Sequence, residues 1–70
     1  MDAWKKVPEF VSEMERFRNA GVPVDNRMML RVMRVIYDRA ENDPGLYPDF
    51  DRQLCGLAIE QLERIVGEGI

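Results

Sequence analysis

Apolar residues recur at three- and four-residue intervals through three stretches of the chain, and prolines and glycines separate one stretch from the next. The middle stretch, RMMLRVMRVIYDRAEN, is the longest and most apolar. Wound at about 100° per residue, Met28, Met29, Leu30, Val32, Met33, Val35, Ile36, Tyr37 and Ala40 sweep an arc of roughly 220°, interrupted only by Arg39. A helix lying on a single neighbour needs little more than about 100°. The pattern therefore predicts a central helix over about 26–42, packed on two sides, with Asp25 as its N-cap and Val24 stapled onto Met29. Its narrow polar stripe holds Arg27, Arg31, Arg34, Asp38 and Glu41, and the first half of that stripe is entirely arginine.

Before it, Val7, Phe10, Val11, Met14 and Phe17 share one face of a helix predicted over about 8–20. Pro8 suits the first helical position and Glu9 complements the positive end of the helix dipole. Gly21 is expected to end this helix in the left-handed conformation, bringing Val22 toward Phe17. Residues 1–6 read as a lead-in whose Trp4 folds back onto the bundle. The short connection GVPVD makes the first two helices antiparallel neighbours.

Pro44 and Gly45 stop the central helix, and the third is predicted over about 49–66. Pro48 is read as its start by the logic of Pro8, since Tyr47-Pro48-Asp49-Phe50 echoes Val7-Pro8-Glu9-Phe10. Shared rules for starting a helix explain the echo without duplication. This helix carries two apolar stripes: Phe50, Leu54, Leu57, Ala58 and Ile65, and then Cys55, Ile59, Leu62 and Val66. The second has the four-three-four spacing of a short coiled-coil seam. Gly56 inside the helix points to close approach of another helix.

The expected fold is an all-α three-helix bundle, a single domain over 1–70. Two helices with more apolar arc than a three-helix monomer covers predict a homodimer, and at this size a second chain's surface is a common source of stability. Charge and cysteine usage narrow the function. A net charge of −3 argues against a dedicated nucleic-acid binder. A lone cysteine forms no internal disulfide, and neither a signal peptide nor a membrane span is visible, so a cytoplasmic location without membrane association is expected.

No catalytic or metal-binding constellation emerges, and no cofactor is expected. The chain lacks histidine, Cys55 has no base to activate it, the acids around 41–51 do not follow calcium-loop spacing, and there is no glycine-rich phosphate loop. Arg27, Arg31 and Arg34 break the rule that disfavours cations at a helix start, and Arg16 and Arg18 are expected at the same end of the bundle. Glu60, Glu63 and Glu68 are the carboxylates placed to neutralise them. The reading is a non-enzymatic protein-interaction module: an adaptor, regulatory subunit or inhibitor, of a size that suits a phage or mobile-element antagonist of a host protein. Its expected partner-binding residues are Arg27, Met28, Arg31, Val32, Arg34, Val35, Cys55, Ile59, Leu62 and Val66. The alternative is a helix-turn-helix-like nucleic-acid binder with Arg27, Arg31 and Arg34 on phosphates.

Overall fold

The computed structural model describes residues 3–67. Among them are three α-helices and no strand: α1 (Pro8–Asn19), α2 (Asn26–Asn42) and α3 (Arg52–Val66), preceded by a 3-10 helix at Ala3–Lys6. Proline opens α1 as expected, and Glu9 sits in its first turn. The helix then closes on Gly21, whose φ of 77° is left-handed. There the Val22 N–H donates to the Phe17 carbonyl at 2.9 Å and the Gly21 N–H to the Arg18 carbonyl at 3.1 Å. Together these two bonds satisfy carbonyls that the helix end would leave open. At the start of α2 the Asp25 carboxylate accepts from the Met28 N–H at 2.8 Å, the capping bond its position predicts.

The start of α3 differs from the expectation. It begins at Arg52, not Asp49, and its N-cap is Asp51, which accepts from the Leu54 N–H at 3.0 Å. Pro48 instead follows the first residue of a turn closed by the Phe50 N–H on the Tyr47 carbonyl, and Pro44 holds the same place in the turn closed by Leu46 on Asp43. Proline's fixed φ suits that turn position as well as it suits a helix start. The echo between the segments around Pro8 and Pro48 therefore ends at the sequence.

As its two-sided arc predicts, α2 packs against both α1 and α3. By contrast, no Cα of α1 lies within 8 Å of one in α3. The 3-10 helix touches both and closes the ring. It is more than a lead-in, because Ala3 is buried, as is Val7 just after it, while the Ala3 N–H donates to Gln61 Oε1 at 2.9 Å. Trp4 does fold back, meeting Phe10 edge to face at 6.1 Å, with Lys5 Nζ 5.3 Å from the Trp4 ring. The core inside this ring is Phe10 and Met14 from α1, Leu30, Met33 and Ile36 from α2, and Cys55, Ala58 and Leu62 from α3, with Ala3 and Val7.

α3 turns Cys55 and Leu62 of one stripe inward together with Ala58 of the other, while Leu57 and Ile65 are 54% and 57% exposed, so the Cys55 stripe is not left open as a seam. Nor does Gly56 mark a close approach of another described residue, since a Cβ there would meet none of them within 4 Å.

Candidate interaction surface

The outer side of α2 carries the densest group of functional candidates. Because Leu30, Met33 and Ile36 fix which way the helix faces, the opposite side presents Arg27, Arg31, Arg34, Val35, Asp38 and Arg39 to solvent. With Leu30 as floor, these six line an open hollow of about 690 Å³. A second hollow, of about 440 Å³, lies on the α1 side between Phe17, Asp25, Arg27, Met28, Arg31 and Val32. Arg27 and Arg31 belong to both, so they form a ridge, with Val35, Met28 and Val32 following one another along one flank and buried Leu30 on the other.

The arginines differ in how they are partnered. Arg34 reaches Glu63 of α3 at 2.7 Å, so one of the carboxylates placed to neutralise the stripe does so. Arg27, Arg31 and Arg39 form no ion pair with a described residue. Glu60 is exposed, and Glu68 lies outside the described residues. Arg16 and Arg18 do not join the ridge: Arg16 pairs with Glu13 at 3.2 Å, and Arg18 lines a separate hollow with Trp4, Lys5 and Glu15. At the far end of α2, Arg52 grips Glu41 and holds its carboxyl below the usual carboxylate range. That contact ties the start of α3 to the end of α2.

The candidates on α3 fare differently. Cys55 and Leu62 have no exposed surface, so both leave the list of partner-binding residues and join the core. Ile59 and Val66 are half-buried and packed against that core. Cys55 Sγ lies 3.5 Å from Met33 Sδ, and burial, with the Glu9 carboxylate adding to it, pushes its thiol up to about 11 from an ordinary 9.0. A thiol held protonated at neutral pH is a poor nucleophile. Glu9 Oε1 is itself buried without a hydrogen-bond partner among the described residues. Sequence reasoning missed Phe17 as a wall of the second hollow, Arg39 as part of the first, and the exposed pair Leu57 and Ile65. Arg39 had one visible signal, as the only break in the apolar arc of α2.

Among the described residues no group of three or more histidines, cysteines or acids is placed to hold a metal ion, and no helix is long and apolar enough to cross a membrane. The chain matches no protein-family model, and no curated protein or solved structure matches it.

Proposed function

We propose that this chain is a non-enzymatic protein-interaction module, an adaptor, regulatory subunit or inhibitor, that binds a larger protein through the outer face of α2. The observation that carries the reading is the ridge of Arg27 and Arg31, without ion-pair partners among the described residues and with accessible apolar surface along one flank. Arginine beside accessible apolar surface is the composition that anchors protein interfaces. Val35, 41% exposed, and half-buried Met28 and Val32 supply the apolar contacts, while the arginines set orientation and association rate. The six residues between α1 and α2, 20–25, suit an antiparallel pair that presents this face as a unit.

The homodimer belongs to the same proposal, moved from the Cys55 stripe to the exposed flank of α3. Leu57 and Ile65 supply its apolar contacts, and Glu60 and Arg64 sit one turn apart beside them. In a second copy running antiparallel, Glu60 meets the other chain's Arg64. The nucleic-acid reading is favoured by the same two arginines of the ridge. It is opposed by the net charge of −3 and by Asp38 in the lining of the larger hollow.

A photo-crosslinking residue replacing Val35, compared with one replacing Ser12 on exposed α1 surface, tests the reading in the cells that express the chain. Adducts from Val35 to one protein, lost in the Arg31→Glu variant and absent from Ser12, are expected. Adducts from Ser12 alone overturn the choice of face. A gel shift of duplex DNA at micromolar protein, abolished by Arg31→Glu with helicity unchanged, promotes the nucleic-acid reading instead.

A further inference from the structure

We infer that the partner segment recognised by α2 is an acidic amphipathic helix, one that carries carboxylates a single turn apart beside an apolar residue and lies along the arginine ridge. This inference rests on the outer face of α2 being the interaction face, and it names the chemistry of what that face takes.

Three observations point to it. Every cation on the face is arginine, whose planar fork pairs with a carboxylate through two parallel hydrogen bonds where lysine offers a single point charge. Arg27 and Arg31 are four residues apart, about 6 Å along the axis, which is the repeat at which a second helix presents carboxylates at i and i+4. Charge is also unevenly divided. The larger hollow holds four arginines and one aspartate, and Glu63 pairs with Arg34, which leaves a local +2 in a chain of net −3, so the remaining residues carry −5. An acidic segment is attracted to this face and repelled elsewhere, which fixes where it docks as well as whether it docks.

The apolar flank chooses between acidic ligands. A phosphate backbone or a fully charged acidic tail neutralises the ridge but leaves Val35, Met28, Val32 and Phe17 beside it open to water. A helix with apolar residues along one side of its acids covers them. Glu63 already pairs with Arg34 and Asp38 limits the basic run at its C-terminal end, so the acids of the partner face Arg27 and Arg31, about 6 Å along the helix, and a neutral or basic residue faces Asp38. The helix dipole acts in the same direction. Arg27 lies in the first turn, where cations are disfavoured, and a carboxylate bound to it adds to the relief that the Asp25 cap already gives.

The test is a fluorescence-anisotropy titration of the whole chain against a hydrocarbon-stapled helical peptide with Glu at i and i+4 and Leu between them. The analogue with Gln for Glu, an unstructured poly-glutamate and a duplex DNA serve as competitors. We expect the Glu peptide to bind at least about tenfold more tightly than the Gln analogue and to weaken with added salt. Arg31→Glu and Val35→Asp should each reduce binding by about tenfold or more, while Lys6→Glu, the same charge change on the exposed end of the 3-10 helix, leaves it unchanged. Circular dichroism confirms that each variant keeps its helices. Equal binding of the Glu and Gln peptides, equal competition by poly-glutamate or DNA, or indifference to Val35→Asp overturns the inference. The crosslinking experiment separates the two levels. If Val35 captures a protein at a site that is not an acidic helix, this inference fails and the interaction face stands; if Ser12 alone captures it, both fall.

Discussion

Leu62→Ala distinguishes a core residue from an interface residue, and the structure fixes which outcome to expect. Leu62 has no exposed surface and is surrounded by the core that α2 and the 3-10 helix complete. Truncating a fully buried leucine removes its transfer free energy and leaves a cavity, a loss of about 2–5 kcal/mol. A chain of 70 residues has roughly 3.5–10 kcal/mol in total, so the variant keeps a fraction of its stability or none. With a urea dependence of about 1 kcal/mol per molar, the midpoint should fall by roughly 2 M or more. Leu57→Ala, on the same helix at 54% exposure, should stay within about 0.5 kcal/mol of the parent in a dilute sample. The assay is urea unfolding followed by far-ultraviolet circular dichroism at several protein concentrations. The reasoning is refuted if Leu62→Ala is nearly neutral while Leu57→Ala unfolds the chain, since α3 would then turn its other stripe inward. A Leu62→Ala loss that vanishes on dilution would place that residue in a seam between copies.

Cys55 should react slowly with a thiol reagent in the native state and quickly in denaturant, and rapid native labelling would contradict its burial. Its raised pKa stabilises the fold fully below pH 9.0, and that contribution is lost as pH climbs toward about 11. A Cys55→Ala variant should therefore lose stability less steeply than the parent across that window, and parallel curves of stability against pH would show that the buried thiol titrates as it does in the unfolded chain. Asp51→Ala should cost about 0.5–2 kcal/mol in urea unfolding whereas Asp49→Ala costs little, and the reverse order would move the helix start back to Asp49. Gly56→Ala should stabilise by up to about 1 kcal/mol because nothing crowds the added methyl, while Gly21→Ala should destabilise because of its positive φ; a stability loss at Gly56 would show that a close neighbour exists after all.

What could be read from the sequence divides along physical lines. Asp25 and Gly21 were legible because capping is local, decided by residues within one turn. Pro48 was not, because a helix start and a turn both accept its φ and only the Asp51 cap separates them. Periodicity showed that α3 has two apolar stripes, but which one faces inward depends on where α2 and the 3-10 helix sit, and that information is not in α3. The 3-10 helix is four residues long, too short to show a period. On α2 the wide apolar arc left the arginines only one side to occupy, so the ridge could be read, and Glu63 was one of three carboxylates the sequence offered it; which of the three pairs, and with which arginine across 29 residues, needed the tertiary fold.

The bond from the Ala3 N–H to Gln61 joins residues 58 apart, and its consequence lies in the order of folding. The segment that closes the ring is made long before the helix it closes onto. Until α3 is complete, Ala3, Trp4 and Val7 have only α1 to lie against, and the part of α2 that faces α3 waits uncovered. Closing so long a loop late is slow compared with pairing neighbouring helices, and exposed apolar surface in the interval favours association between unfinished chains. Folding speed should therefore respond to substitutions at Val7 and Ala58 more than to changes at the α1–α2 connection, where the contacts are nearest in sequence.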